Sequence, residues 1–116
     1  MGLKLSTVAV EESVYGIRVS FFDSAGLAAT PKTLAWSLTD SGGAVVNDRK
    51  AVVISTPAST VTIVLKGDDL QMLGSAQNKE ARLVIVEGTY DDAVLGMDCP
   101  IREEVSFLLE NRQEAV

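Results

Sequence analysis

Thr33-Leu34-Ala35-Trp36-Ser37-Leu38-Thr39-Asp40 is the stretch that decides the fold. Leu34, Trp36 and Leu38 fall on one side of an extended chain, and Thr33, Ala35, Ser37 and Thr39 on the other, which is the period of a half-buried strand. Trp36 is the only tryptophan. A buried tryptophan hides roughly 200 Å² of surface, so this is the expected central strand and Trp36 the expected centre of the core.

The same pattern repeats on both sides of it. Upstream, Leu3 to Val10 reads as an edge strand, ended by Glu11-Glu12. Val14 to Phe22 alternates Tyr15, Ile17, Val19 and Phe21 inward against Gly16, Arg18, Ser20 and Phe22, with Arg18 on the wet side. Asp23-Ser24-Ala25-Gly26 is a turn, and Pro31 stands before the central strand, where a missing amide does no harm. Downstream, Asp40-Ser41-Gly42-Gly43 is a second tight turn. It predicts a short strand at Ala44 to Asn47 paired back onto the tryptophan strand, and another at Ala51 to Ser55, stopped by Pro57. Ser59 to Lys66 puts Val61, Ile63 and Leu65 inward and leaves Val64 outside.

Residues 67–74 break the β pattern. Asp68 or Asp69 caps a short helical turn over 68–74, Leu70 and Leu73 share a face, and Gly74 ends it. A crossover of that size carries the chain from one sheet to another. Ala81 to Tyr90 holds the run Leu83-Val84-Ile85-Val86, whose inward phase stays open, with a twist expected at Gly88. Residues 91–100 read as a loop, Ile101 to Glu110 as the last strand with Val105, Phe107 and Leu109 on one face, and 111–116 as a frayed tail. Seven to eight short strands with one helical turn predict an all-β, antiparallel, immunoglobulin-like β-sandwich in a single domain over residues 1–116, with its ordered core at about 3–110.

Composition narrows the chemistry. The chain of 116 residues has no histidine and one cysteine, so the usual general base is missing and an internal disulfide is excluded. Sixteen acidic against ten basic residues give a net charge of −6, which argues against a nucleic-acid partner. No apolar run reaches a membrane span and no signal peptide is read, so synthesis in the cytoplasm is expected. Gly2 followed by Ser6 fits a short myristoylation pattern, against which a first strand from Leu3 is preferred.

Carboxylates are the only plentiful reactive groups, in the pairs Glu11-Glu12, Asp68-Asp69, Asp91-Asp92 and Glu103-Glu104. Calcium needs six to eight oxygens, but neighbours on a strand point to opposite faces, so solvated turns and caps are the simpler reading. Asp98, beside Cys99, disfavours a thiolate. No nucleophile, base and orienting group can be named together, and catalytic, metal and cofactor sites are left unassigned. Phe22 and Val64 stand out as apolar residues on polar strand faces, either under a loop or in a patch for a partner.

A longer pattern runs through Ser13-x-Tyr15-x-Ile17-x-Val19-x-Phe21-x-Asp23-x-x-Gly26 and Pro31-x-x-Leu34-x-Trp36-x-Leu38-x-Asp40-x-x-Gly43-x-Val45-Val46-Asn47. It continues in Ile63-Val64-Leu65-x-Gly67-Asp68-Asp69-Leu70, Arg82-Leu83-x-x-Val86-Glu87-Gly88-Thr89-Tyr90-Asp91 and Glu103-Glu104-Val105-x-Phe107-x-x-Glu110-Asn111. This resembles the small immunoglobulin-like, fibronectin type III-like β-sandwich proteins encoded among the virion structural genes of tailed bacteriophages and prophages. The resemblance implies a non-enzymatic head, tail or connector component that becomes virion-associated and works through protein contacts, as a homo-oligomer or with other subunits. The rival expectation is a stand-alone bacterial binding module that takes protein or carbohydrate through the loops around Asp91 and Asp40. Open first and last strands predict edge pairing, unless Lys4 and Arg102 guard them.

Overall fold

The computed structural model describes residues 2–10, 13–71 and 79–110, with the backbone alone for 2–8, 10 and 79. Among these, seven strands form an all-β protein: β1 (Gly2–Val10), β2 (Val14–Ser20), β3 (Thr33–Asp40), β4 (Val52–Val53), β5 (Thr60–Lys66), β6 (Lys79–Asp92) and β7 (Gly96–Glu110). One 3-10 turn, Gly67–Leu70, lies between β5 and β6.

The strands make a five-stranded sheet in the order β1-β7-β6-β3-β4 and a two-stranded sheet of β2 and β5. All pairings are antiparallel but one. β1 runs parallel to β7, with Gly2 opposite Glu104 and Val10 opposite Glu110, the one exception to the antiparallel pairing that the sequence predicts. The turn after β5 hands the chain from the small sheet to the large one, as the break in the β pattern predicts. Leu70 is fully buried there, while Leu73 and Gly74 lie outside the described residues.

Both sheets contribute to one core. Ile17 and Val19 of β2 and Val61, Ile63 and Leu65 of β5 pack with Leu34, Trp36 and Leu38 of β3, Val84 and Val86 of β6, and Val105, Phe107 and Leu109 of β7. Each fully buried side chain of this size stabilises the fold by about 1.5–3 kcal/mol. The innermost positions are Leu38, Leu65, Val84, Val86 and Leu109, with no exposed surface, while Trp36 keeps 9% of its own. Trp36 is thus a core residue at the rim rather than the centre. Tyr15 stacks at a tilt on Phe107, ring centroids 5.0 Å apart.

Register resolves the phase of β6. Val84 lies opposite Leu38 and Val86 opposite Trp36, so the even positions turn inward and Leu83 and Ile85 face out. That phase also buries Arg82. Its guanidinium is compensated by the carbonyls of Ala81 and Gln71 and by the Glu80 carboxylate.

Two expected strands shrink. Residues 44–47 supply only an isolated bridge, Val45 to Thr39, and 51–55 only the two residues of β4. The cause is local backbone geometry. Asn47 and Asp48 take φ of 54° and 55°, Ala51 takes 50°, and the Arg49 amide donates back to the Val46 carbonyl at 3.1 Å. The chain between β3 and β5 is therefore spent on turns. In contrast, 91–100 is mostly strand: β6 runs to Asp92 and β7 starts at Gly96, leaving a three-residue connection.

Candidate interaction surface

The two connections at one end of the molecule, 21–29 and 92–97, are fastened by carboxylates. Asp92 is the pin. Its oxygens accept from the Ser24 amide (2.8 Å), the Ser24 hydroxyl (2.9 Å), the Val94 amide (2.7 Å) and the Leu95 amide (3.0 Å). Those donors, the Ser24 amide foremost, hold its carboxyl down at about 2 against the opposing effect of burial.

Around the pin the pattern repeats on the surface. Asp23 accepts from the amides of Ala25 and Leu27, closing its own turn. Asp91 takes the Asp98 amide, which with Lys32 lowers its pKa. Lys32 donates to Asp98 at 2.6 Å and to Asp91 at 3.2 Å, and both contacts raise its pKa. Tyr90 is raised by burial first and then by Asp92, Cys99 and Asp23.

This stapled end exposes large apolar side chains. Phe22, Leu27, Val94, Leu95 and Met97 are all at least 61% exposed, Val94 as much as 80%. The pin explains how: with the amides of Ser24, Ala25, Leu27, Val94 and Leu95 taken by carboxylates and that of Gly26 by the Asp23 carbonyl, the loops are held in place without burying their own apolar residues. Phe22 therefore belongs to an exposed patch, not to the underside of a loop. Beside it, a groove of about 340 Å³ runs between the end of β2 and the first half of β7, lined by Phe22, Tyr90, Pro100, Arg102 and Glu103.

Two of the acidic pairs split between surface and interior, Asp91-Asp92 at the end of β6 and Asp68-Asp69 in the 3-10 turn. Asp91 is exposed and Asp92 buried, Asp68 exposed and Asp69 buried, and among the described residues no three potential metal ligands come together. Glu11 and Glu12 lie outside the described residues. Glu104 and Glu87 flank Arg102. Asp69 sits at the far end, where it accepts from Arg49 Nε (2.7 Å), Asn47 Nδ2 (2.8 Å) and the Lys66 amide (3.3 Å). Burial pushes its pKa up, and these partners outweigh burial to leave it lowered. Cys99 is half-buried, its Sγ 3.3 Å from the Gly96 carbonyl.

The turns at Asp91 and Asp40 do not share an end. Thr33 pairs with Thr89, but Asp40 pairs with Arg82, seven positions along, or about 23 Å. No single site spans both turns.

The open edges differ in how they are protected. Backbone bonds from Leu34 and Leu38 toward 46–54 show that even-numbered residues of β3 face β4. Alternation through β6 then turns the even residues of β7 outward. β1 covers these from Glu104 onward. Before it, the Asp98 amide is taken by Asp91 and Pro100 has none, so Arg102 alone offers an amide: a guarded edge. On β2, odd residues face β5, as the bonds at Phe21 and Ser13 require. The amides of Val14, Gly16, Arg18 and Ser20 thus lie along an edge with no laddered strand among the described residues.

No protein-family model, curated protein or solved structure matches this chain.

Proposed function

We propose that this chain is a non-enzymatic structural or accessory protein of a tailed-phage or prophage particle, built as an immunoglobulin-like sandwich and acting through protein contacts at its stapled end. The observation that carries the reading is the five exposed apolar side chains held on two turns by Asp92. Patches of that kind mark interaction surfaces. A pinned patch also loses little conformational entropy on binding.

The strand order supports the immunoglobulin-like part. The second and fifth strands form one sheet, and the third, sixth and seventh lie in the other, as the B, E and C, F, G strands do in that plan. The particle assignment rests on the sequence resemblance. It is tested by immuno-electron microscopy of particles purified from the induced host strain, using antibody against this chain. Regular labelling at one site is expected; unlabelled particles, with the protein left in the lysate supernatant, overturn it.

The groove beside Phe22 and Tyr90 favours one second reading, a binding module for carbohydrate. Saturation-transfer NMR with an oligosaccharide panel checks it, with contacts expected on the Tyr90 ring.

A further inference from the structure

Nine large apolar side chains are exposed among the described residues, and five of them occupy the stapled end. Two more, Val14 and Val64, stand on the outer face of the β2–β5 sheet, 67% and 49% exposed. They are neighbours, because Gly16 lies opposite Val64 and Val14 opposite Lys66. β2 runs toward the stapled end, so this second patch lies at the sheet's far end, about 20 Å from Ser20.

Charge divides in the same way. The stapled end carries Asp23, Asp91 and Asp98 around its apolar residues, offset by Lys32 alone. The outer face of β2–β5 carries Arg18 and Lys66 and no carboxylate among its strand residues. Arg18, Lys66 and, away from this face, Lys50 make no ion pair with described residues, whereas Lys32, Arg49, Arg82 and Arg102 all do. In a chain of net charge −6, two cations that are unpaired among the described residues, beside two exposed valines, form a surface complementary to the acidic, apolar end.

We propose that a second copy of this chain seats its stapled end, through Leu95, Met97 and the Asp91 and Asp98 carboxylates, on the outer β2–β5 face around Val14, Val64, Arg18 and Lys66. One such contact covers seven of the nine exposed apolar side chains. The two patches are different, so the contact is heterologous and leaves a free donor and a free acceptor on every pair. It therefore propagates to a ring or a filament. This deepens the protein-contact reading above and rests on it, by naming the partner as another copy.

A heterologous contact has a signature that a two-fold one lacks. The donor variant is Leu95→Asp/Met97→Asp and the acceptor variant is Arg18→Glu/Lys66→Glu, both at exposed positions. Circular dichroism and Trp36 fluorescence verify that each is folded. Light scattering of wild-type protein is expected to show mass rising with concentration, with association weakened about tenfold as salt goes from about 0.05 to about 0.5 M. Each variant alone is expected to stay at the monomer mass of 12.3 kDa. Mixed, they form a one-to-one pair and nothing larger, because one intact donor meets one intact acceptor.

A wild-type protein that stays monomeric throughout, variants that still assemble singly, or a mixture that stays monomeric overturns the contact. Particles labelled by antibody while the protein is monomeric in solution overturn the self-contact alone. Heterodimers without labelled particles overturn the particle assignment alone.

Discussion

Gly88→Ala tests the closest approach in the large sheet. A Cβ at position 88 falls 1.9 Å from the Thr33 carbonyl oxygen, 2.9 Å from its carbonyl carbon and 3.0 Å from Leu34 Cδ2. Non-bonded carbon and oxygen come no nearer than about 3.3 Å, so β3 and β6 must part by about 1.4 Å. No rotamer change helps, because the obstacle is backbone. The neighbouring contacts are also tight: the Lys32 amide reaches the Thr89 carbonyl at 2.7 Å, and the hydroxyls of Thr33 and Thr89 meet at 3.0 Å. Overpacking costs about 1–3 kcal/mol, and one lost backbone bond adds about 1 kcal/mol. The expected loss is therefore about 2–4 kcal/mol, from a total of about 5–15 kcal/mol for a domain. At about 4–8 °C per kcal/mol, Tm should fall by at least about 8 °C. Urea unfolding followed by Trp36 fluorescence reads it well, since Trp36 pairs with Val86, two residues from the site. A loss under about 1 kcal/mol with unchanged m-value would show that β3 and β6 do not approach this closely.

Four further outcomes are expected. Asp92 is lowered from the ordinary 3.8 to about 2, so its contribution to stability is present above pH 4 and disappears as pH falls from about 4 to about 2; the acid slope of wild type minus Asp92→Asn measures it, and identical slopes refute it. Arg49→Met removes one of the partners of the buried Asp69 carboxylate and should cost about 1–3 kcal/mol in urea unfolding, with no cost left when Asp69 is already Asn. Ala51 holds a φ of 50°, so Ala51→Gly should raise stability by up to about 1 kcal/mol despite the added chain entropy. Ser106→Pro removes an amide turned toward β1 and should cost about 3 kcal/mol; normal folding would show that β7 is wrongly placed.

Much of the fold is written in period-two alternation, and most firmly where one face is wet. β2, β3 and β5 lie where Ile17, Trp36 and Ile63 predict, because a one-residue slip would expose the whole apolar set. Three features escape that signal for physical reasons. The parallel course of β1 depends on partner choice, which alternation does not encode. The phase of β6 hides in Leu83-Val84-Ile85-Val86, since both faces are apolar; Arg82 on the inward phase reads as an error until the carbonyls of Ala81 and Gln71 are seen to receive it. Residues 44–55 look strand-like from their valines, yet positive φ at Asn47, Asp48 and Ala51 diverts them into turns. In the stapled end, Phe22 was visible as an apolar residue on a polar face. The pin was not, because Asp92 reads as one more acidic turn residue until Ser24, distant in sequence, donates to it.

The edges carry the same lesson into function. A free strand edge invites any extended chain, and β7 meets that risk with Pro100 and with the Asp91 carboxylate occupying the Asp98 amide. β2 has neither device among the described residues: Val14, Gly16, Arg18 and Ser20 present there an edge with no laddered strand, beside an exposed valine pair. Protection on one side and its absence on the other are hard to reconcile with a chain that must avoid all association. They fit one whose β2–β5 sheet is covered in its working state, with Arg18 and Lys66 deciding by charge which surface is admitted. An acidic, apolar end meets that condition. A basic partner does not, so raising the salt concentration should weaken association with the former and relieve repulsion from the latter.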